Sequence, residues 1–322
     1  MTSPINPRVV AVTGASGYLG ERIVKRLVAE PSIAHVIGID VRPSSLEHEK
    51  LTTLILDVTA PLDALFLRHK VDTVVHLAFV LRQLRDREES RRINVGGAAN
   101  VLRASESAGV SRIILMSSST VYGPHPDNDH LLIEDSPLRP PPEFNYPNNK
   151  ATVEALYRRY GEQHIPTQVS ILRCCIVMGP MVHNFITQAL NKPALIAVGR
   201  DDPPMQFVHE EDLTEVLWRF VSENHPGTFN VAGTGTILWS DVVKMAHRRL
   251  LRFSAPIAYG LTNISWRLRL QNDAPGAGLD YVRWPWNVST NRVEEELGFK
   301  FKHSSREAVQ SYLQGASPST PT

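Results

Sequence analysis

Short apolar runs rich in β-branched residues alternate with amphipathic stretches from the beginning of the chain. Such runs predict buried strands, and apolar residues that recur every three or four positions predict helices between them. Because parallel strands are joined by long crossovers, usually helices, the alternation indicates βαβ units and an α/β fold with helices on both faces of a parallel sheet. The predicted strands are residues 8–13, 35–40, 51–56, 73–77, 112–117 and 167–177, and the predicted helices are residues 18–30, 86–108 and 149–164.

The alternation becomes irregular after Gly179, where prolines and glycines separate shorter elements. Such a change predicts a domain boundary. We expect a first domain over residues 1–178, a smaller second domain over mainly 179–314, and a disordered tail over 315–322, which has no apolar anchor. Two later strand-like pieces could rejoin the first sheet, residues 194–198 and 228–231.

The composition limits the partners of the chain. Its 34 Lys and Arg balance 33 Asp and Glu, so no global field attracts nucleic acid or a membrane, and small molecules are the predicted partners. The amino terminus lacks the features of a signal peptide, and no apolar run approaches the roughly 20 residues that cross a bilayer. The adjacent Cys174 and Cys175 suit neither an ordinary disulfide nor a metal framework. We therefore expect reduced thiols in a cytoplasmic protein.

Three glycines, Gly14, Gly17 and Gly20, follow the first predicted strand in T-G-A-S-G-Y-L-G. This spacing between a strand and a helix permits a tight turn, close approach of the backbone to a pyrophosphate, and packing of the helix on the strand. Asp40 ends the second predicted strand twenty positions after Gly20, where a carboxylate accepts hydrogen bonds from ribose hydroxyls. Together these residues predict a dinucleotide site on a Rossmann-type, doubly wound sheet.

The charge of Asp40 favours NAD, because a 2′-phosphate would face the carboxylate. NADP is not excluded, since Arg42 could pair with such a phosphate or form an ordinary surface ion pair. Residues after the third and fourth strands are expected to contact the cofactor, although each could equally be a loop cap or a core residue. The predicted cofactor contacts are Gly14, Ser16, Gly17, Tyr18, Leu19, Gly20, Asp40, Arg42, Asp57, Val58, Leu77, Ala78, Phe79, Tyr146 and Lys150.

Tyr146 and Lys150 lie four residues apart in N-Y-P-N-N-K, which is one turn of a helix. A free tyrosine titrates at about pH 10, and a nearby ammonium and an oxidised nicotinamide are expected to lower its pKa and make it a usable acid or base. Ser118, at the end of the strand predicted over 112–117, can donate a hydrogen bond to a substrate oxygen. Each motif is weak alone, and their conjunction predicts hydride and proton transfer.

The motifs resemble those of the NAD-dependent epimerase/dehydratase family of extended short-chain dehydrogenases/reductases, in the same order and over nearly the whole chain. They are T-G-A-S-G-Y-L-G, H-L-A, I-N-V-G-G-A-A-N-V-L, S-S-S-T-V-Y-G, Y-P-N-N-K and L-R-C-C-I-V-M-G-P. The resemblance implies that Ser118, Tyr146 and Lys150 are catalytic and that Asn94 helps to organise the site. It also implies a smaller carboxyl-terminal substrate-binding domain and a homodimer packed through the helices predicted over 86–108 and 149–164.

Two positions depart from the pattern of many nucleotide-sugar enzymes in this family. Ile176 replaces an asparagine, and Met205 replaces an arginine, so two polar substrate contacts are lost. A sugar or nucleotide-sugar that is epimerised or dehydrated, and a less polar alcohol or ketone that is oxidised or reduced, both remain open. A non-catalytic dinucleotide sensor is a third hypothesis, against which the intact Ser, Tyr and Lys set argues. The expected substrate contacts are Ser118, Ser119, Tyr146 and Asn184.

No metal site is predicted, because none of the twelve histidines has a helical ligand spacing such as H-x-x-x-H. His76 is interpreted as a core residue at a strand end. The apolar and basic stretch L-T-N-I-S-W-R-L-R-L-Q, residues 261–271, suits a lid over the pocket or a packed helix, and we favour the packed helix.

Overall fold

The computed structural model of the chain describes residues 8–81, 86–271 and 274–316. The strands are β1 Arg8–Thr13, β2 Ile33–Asp40, β3 Leu51–Ile55, β4 Thr73–His76, β5 Arg112–Ser118, β6 Gln168–Cys174, β7 Ile176–Met178, β8 Ala194–Val198, β9 Pro204–Met205, β10 Phe207–His209, β11 Gly227–Val231, β12 Ile237–Leu238 and β13 Arg249–Phe253. The α-helices are α1 Tyr18–Val28, α2 Asp63–His69, α3 Arg87–Arg91, α4 Gly97–Ala108, α5 Asn145–Gln163, α6 Phe185–Leu190, α7 Glu210–Ser222, α8 Trp239–Met245, α9 Ala255–Arg267, α10 Asn291–Leu297 and α11 Ser305–Ala316.

Seven strands form one sheet in the order β11-β6-β5-β4-β1-β2-β3. β1 pairs in parallel with both β2 and β4, and β4 pairs in parallel with β5. The chain therefore proceeds from β1 to β3 on one side and then to β4 and β5 on the other. This reversal beside β1 is the point where doubly wound sheets bind ligands, outside the carboxyl ends of the strands. The predicted Rossmann-type α/β fold is confirmed.

The apolar runs form central strands that are buried on both faces. Val10, Ala11 and Val12 in β1 are fully buried, as are Val74 and Val75 in β4. A strand covered by helices on both faces needs apolar side chains at successive positions, which explains why these strands read as continuous apolar runs. The burial of these side chains fixes the carboxyl edge of β1 and β4, where the glycine loop begins.

Contacts divide the described residues into two compact units that are interleaved along the sequence. The first unit comprises the chain up to Ser117, Asn149–Leu172 and Thr214–Thr228. The second comprises Ser118–Asn148, Arg173–Leu213 and the chain from Phe229 onward. The division into a cofactor domain and a substrate domain near residue 178 stays a prediction.

The helix predicted over residues 86–108 is interrupted. α3 and α4 are separated by a π-helical turn, Arg92–Gly96. The helical stretch predicted here is confirmed from Arg87 to Ala108. The π-helical turn inside it was not predicted, because apolar periodicity does not reveal a single turn with wider hydrogen bonding. Gly109 caps α4 in the left-handed conformation, with φ 65°, as expected for a glycine at this position.

The strand predicted over residues 167–177 is divided into β6 and β7. Between them the Cys175 amide donates to the Val231 carbonyl, and β7 pairs in parallel with β10. The single strand was therefore a wrong prediction, because an apolar run does not specify its pairing partner. Of the two later pieces expected at the large sheet, β11 joins it, whereas β8 pairs with β13.

The carboxyl-terminal helix α11 continues to Ala316, so the expected tail does not begin at residue 315. The remainder of that predicted tail, residues 317–322, lies outside the described residues. Within the described part of the chain, every helix is too short or too polar to span a bilayer.

Candidate active site

The glycine loop joins β1 to α1 in the first unit. Gly14 has φ 74°, in the left-handed region, and a Cβ there would lie 2.8 Å from the Ala78 amide nitrogen. A Cβ at Gly20 would overlap the Gly14 carbonyl oxygen. Only glycine satisfies both constraints. α1 begins directly after Gly17 with no side-chain cap among the described residues, so its first amides can serve a phosphate.

Asp40 is buried at the end of β2, beside the loop. Its carboxylate accepts hydrogen bonds from the Ser16 amide at 3.1 Å and the Arg42 amide at 3.0 Å. The Arg42 guanidinium lies 3.4 Å from the same carboxylate and donates to the Ser16 carbonyl at 2.9 Å, while its side chain remains 63% exposed. Arg42 therefore forms the surface ion pair that was one of its two predicted roles. A buried carboxylate at the ribose position fits NAD.

Asp57 and Val58, which follow β3, have structural partners. One carboxylate oxygen of Asp57 accepts hydrogen bonds from the amide and the hydroxyl of Thr59, both at 2.9 Å. Val58 packs so closely on α4 that a Cβ at Gly97 would lie 2.6 Å from its Cγ2 atom. Asp57 therefore caps the loop, and Val58 is a core residue. These were the alternatives to the predicted cofactor contacts.

Leu77, Ala78 and Phe79 follow β4 and are half-buried. The Leu77 amide donates to the Thr13 carbonyl at 3.1 Å, which continues the β4 ladder beyond its last strand residue. This bond holds the segment against the glycine loop, where it was predicted to contact the cofactor. The proximity of Ala78 to Gly14 explains the glycine at that position.

Tyr18 and Leu19 form the first turn of α1 and are half-buried. The Arg22 guanidinium lies over the Tyr18 ring, 5.2 Å from its centroid. This stacking is a cation–π contact within one helical turn. It orients Tyr18 along α1, beside the loop in which its cofactor contact was predicted.

Lys150 is buried in the first unit and has two defined contacts. Its Nζ donates to the Met116 carbonyl at 2.6 Å and lies 3.8 Å from the centroid of the Phe79 ring. A buried ammonium needs such partners, because it has lost its water. The contacts fix a positive charge between β5 and the segment that follows β4.

Asn94 lies buried in the π-helical turn. Its Oδ1 accepts a hydrogen bond from the Val80 amide at 2.8 Å, and its Nδ2 has no hydrogen-bond partner among the described residues. Buried donors are usually satisfied by protein, water or ligand, and π-helical turns are frequent at functional sites. The position suits the organising role that the resemblance implies for Asn94.

His76 is a buried core residue, as predicted. Its Nδ1 lies 2.7 Å from the Thr13 hydroxyl, and its ring stacks on Tyr157 with centroids 5.8 Å apart. Burial, and next the positive charge of Lys150, lower the pKa of His76 to about 3. The imidazole is therefore neutral at physiological pH and does not compete with the tyrosine as a proton carrier.

A hydrogen bond joins the Tyr146 phenol to the Ser118 hydroxyl in the second unit. Ser118 Oγ also accepts hydrogen bonds from the amide and the hydroxyl of Thr120, at 3.2 and 2.9 Å. Because a hydroxyl oxygen has two lone pairs, these contacts leave the Ser118 proton to be donated to Tyr146. The sequence analysis did not predict a role for Thr120. Its position in the motif S-S-S-T-V-Y-G, beside Ser118, was the one signal that could have indicated it.

The pKa of Tyr146 is shifted in the direction opposite to the sequence prediction. Burial raises it to about 12, the Ser118 hydrogen bond lowers it, and the charge of Cys174 raises it further. Desolvation of the phenolate outweighs the hydrogen bond here, and the lowering expected beside an oxidised nicotinamide stays a prediction. α5 starts at Asn145, earlier than predicted, and therefore carries both Tyr146 and Lys150.

The other two expected substrate contacts have backbone partners. The fully buried Ser119 hydroxyl donates to the Cys174 carbonyl at 3.3 Å. The Asn184 side chain caps α6 by accepting from two backbone amides at 2.9 and 3.0 Å, and it donates to the Val177 carbonyl at 2.7 Å. These contacts give both side chains structural roles, and their contact with the substrate stays a prediction.

Ile176 and Met205, the two departures from the family pattern, are buried in the second unit. Ile176 is paired with Phe207 in β10, and Met205 with Ile237 in β12. Neither position offers a polar group, and both side chains belong to small apolar sheets.

One cluster contains the side-chain types that bind metals. His209, Glu211 and His303 bring ligand atoms within 4.8 Å of one another. The two imidazoles stack 3.9 Å apart, the His209 ring nitrogens contact the Ser311 hydroxyl at 3.0 Å and the Glu211 amide at 3.3 Å, and His303 Nδ1 lies 3.1 Å from the Asp212 carboxylate. A search for ligand spacing could not find this cluster, because His303 is distant in sequence.

A doubly wound sheet with a glycine loop, a buried carboxylate at the end of β2, and a helix that carries Tyr146 and Lys150 is the arrangement of a dinucleotide-dependent oxidoreductase. The model of the NAD dependent epimerase/dehydratase family matches residues 10–232. The chain belongs to this family and is an enzyme of the extended short-chain dehydrogenase/reductase type. The predicted cofactor, NAD, is confirmed at the level of the family.

Individual relatives extend over most of the chain. An uncharacterized protein of Mycobacterium tuberculosis is 29% identical over 324 residues, covering 97% of this chain and 85% of the relative. The dTDP-glucose 4,6-dehydratase of Neisseria meningitidis serogroup B is 26% identical over 344 residues, covering 95% and 93%.

Two solved structures share the fold. The UDP-glucose 4-epimerase of Thermotoga maritima, solved with UDP-glucose, is 17% identical with a TM-score of 0.75 and coverages of 95% of this chain and 98% of that chain. MoeE5 in complex with UDP-glucuronic acid and NAD is 23% identical, also with a TM-score of 0.75 and coverages of 95% and 98%.

Proposed function

We propose that this enzyme oxidises a secondary hydroxyl of a nucleotide-sugar and reduces the resulting carbonyl, giving net epimerisation. The observation that carries the proposal is the hydrogen-bonded series Thr120, Ser118 and Tyr146, at the start of the helix that also carries Lys150. The glycine loop and Asp40 would hold NAD, which supplies the hydride acceptor and donor when bound.

Tyr146 is the proton carrier in this proposal. A phenol whose pKa is raised to about 12 keeps its proton at neutral pH and can donate it to a carbonyl oxygen as that group is reduced. In the oxidising direction the phenol must first lose this proton. The hydrogen bond from Ser118 favours the phenolate. We expect the ammonium of Lys150, one turn along α5, to do the same when NAD is bound.

The residues beside Tyr146 favour oxidation and reduction over dehydration. Eliminating water from a sugar needs a base for a C–H proton and an acid for the departing hydroxyl, in addition to the tyrosine. The end of β5 and the turn after it offer Ser118, Ser119 and Thr120, none of which is acidic, and Ser119 is engaged with a backbone carbonyl. We therefore assign epimerisation, although a dehydratase is among the relatives.

The names of the relatives support the substrate class. The names of the similar proteins mention UDP-glucose, UDP-glucuronic acid and dTDP-glucose. A second candidate is a dehydrogenase or reductase of a less polar alcohol or ketone, which the apolar Ile176 and Met205 favour. The two differ in redox balance, since epimerisation leaves NAD unchanged and net oxidation produces NADH in proportion to turnover.

The test is an assay of the purified protein with NAD and, separately, UDP-glucose, dTDP-glucose, UDP-glucuronic acid and a panel of small alcohols. NMR of the sugar and absorbance of NADH are followed together. We expect an epimer of one sugar nucleotide without accumulation of NADH. Stoichiometric NADH with an alcohol would instead establish the second candidate, and a dehydrated sugar product would contradict epimerisation.

A further inference from the structure

Helix α9 carries an apolar stripe that faces solvent. Ile257, Leu261, Ile264 and the C-cap residue Leu268 recur every three or four positions and therefore share one side of the helix. Their exposed fractions are 53%, 55%, 55% and 65%, and Leu270, just beyond the helix, is 75% exposed. Large apolar side chains scattered over a surface are ordinary, but four aligned on one helix with a fifth just beyond its end mark an interaction site.

The other side of α9 is anchored. Ala258 is buried, and the Asn263 side chain accepts a hydrogen bond from the Gly276 amide at 2.8 Å. α9 packs on β8 and on the 3₁₀ turn Gly276–Val282. The helix expected over residues 261–271 is therefore confirmed as far as Arg267, but its apolar stripe is not packed against the described residues.

The segment around the stripe is basic throughout. Residues 242–271 contain no Asp or Glu, although the whole chain has a net charge of +1. Their six cationic side chains are all exposed, namely Lys244, Arg248, Arg249, Arg252, Arg267 and Arg269. Arg267 and Arg269 flank Leu268 directly. The prediction of no membrane partner rested on the balanced charge of the whole chain and not on this local excess.

We propose that α9 and the turn after it dock on the surface of an anionic lipid bilayer. Leu268 and Leu270 would enter the boundary between headgroups and acyl chains, and Arg267 and Arg269 would contact lipid phosphates. Exposed apolar side chains bordered by Arg and Lys are the pattern by which helices lie in a membrane interface, and contact of this kind needs no spanning helix.

A second copy of the chain fits the apolar stripe of α9 less well than an anionic bilayer does. A two-fold contact places the same surface of each copy against itself. Arg267 and Arg269 of one copy would then face the same arginines of the other, with no acidic residue between 242 and 271 to offset them. The stripe and its arginines are also separate from the residues that carry the proposed chemistry, so the two proposals can fail independently.

The test is co-sedimentation of the full-length protein with vesicles. Vesicles of mixed phosphatidylcholine and phosphatidylglycerol are compared with vesicles of phosphatidylcholine alone, at low and high salt. We expect binding to the anionic vesicles only, weakened by salt. Leu268→Ser with Leu270→Ser, and separately Arg267→Gln with Arg269→Gln, should each weaken binding roughly tenfold or more.

Ile165→Ser is the matched control, because Ile165 is 81% exposed and lies outside the segment. It should bind the anionic vesicles as the unchanged protein does, and the melting temperature of every variant verifies folding. Equal binding to both vesicle types, or to neither, would overturn the proposal. So would stripe variants that lower the oligomeric mass in light scattering while vesicle binding stays the same, because the stripe would then be a contact between copies.

Discussion

Ser118 stands between Thr120 and Tyr146, accepting two hydrogen bonds from the first and sharing one with the phenol of the second. Hydrogen bonds in such a series polarise one another, so the Thr120 hydroxyl strengthens Ser118 as a donor. The arrangement orients the tyrosine oxygen and moderates the effect of its burial. It also identifies Thr120, two residues after Ser118, as a positioning residue.

Removing the phenol hydroxyl tests the proton carrier. Tyr146→Phe keeps the ring and its packing but deletes the only proton that the ring can transfer. We expect turnover to fall by roughly 10²–10⁴-fold, while NAD affinity changes little. Steady-state kinetics and a fluorescence titration with NAD measure the two effects separately. Full activity in this variant would reject Tyr146 as the acid and base.

Thr120→Val tests the positioning role of Thr120. The variant keeps the shape of the side chain but removes the hydroxyl that donates to Ser118. We expect kcat to fall about five- to tenfold. Because a weaker Ser118 bond stabilises the phenolate less, the rising limb of the oxidation rate should move to higher pH. Thr120→Ser, which restores the donor, should recover both. A loss of rate with an unchanged pH profile would indicate a purely structural role.

Asp40→Ala tests cofactor selection. The substitution removes the carboxylate expected at the ribose hydroxyls and releases Arg42 from its ion pair. NAD should lose more affinity than NADP, since the freed guanidinium could pair with a 2′-phosphate. Dissociation constants for both cofactors give the ratio. An equal loss for the two would show that Asp40 does not select between them.

Glu210 should make stability depend on pH. Burial, and next the charge of Glu211, raise its pKa from 4.5 to about 7. The folded protein then holds a proton between these values that the unfolded chain has released, so stability falls as pH rises from about 4.5 to about 7. Glu210→Gln should raise the melting temperature at pH 8 relative to the unchanged protein, and less at pH 5.

Thermal unfolding across that pH range measures the effect. The exposed Glu47→Gln is the control and should leave the curve unchanged. An identical pH dependence in Glu210→Gln and in the unchanged protein would rule out Glu210 as its source.

The homodimer through α3, α4 and α5 is also a prediction. Light scattering at micromolar concentration should give twice the mass of the chain. Charged substitutions on the exposed face of α4, such as Ala99→Glu, should shift the mass toward that of a single chain. A monomeric mass for the unchanged protein would discard this interface.

The sequence predicted correctly those features that depend on neighbouring residues in the chain. The strands β1 to β5 and the glycines were predictable, because burial on both faces and left-handed backbone leave direct signatures. The division at Cys175, the π-helical turn at Asn94 and the raised pKa of Tyr146 were not. Each depends on partners distant in sequence or on the depth of burial, which apolar periodicity does not encode. Thr120 belongs with these, since its role comes from the direction of one hydroxyl.

Because the two units are interleaved in sequence, the first unit cannot fold completely from an amino-terminal fragment of the chain. The first unit includes Thr214–Thr228, which contains most of α7 and the start of the edge strand β11. Translation must therefore pass well beyond the glycine loop and α5 before that unit can complete its contacts. A fragment that stops at residue 178 would leave β6 as an unprotected border open to strand addition by neighbouring chains. Until the later segment is made, that exposed edge is the part of the incomplete sheet most open to aggregation.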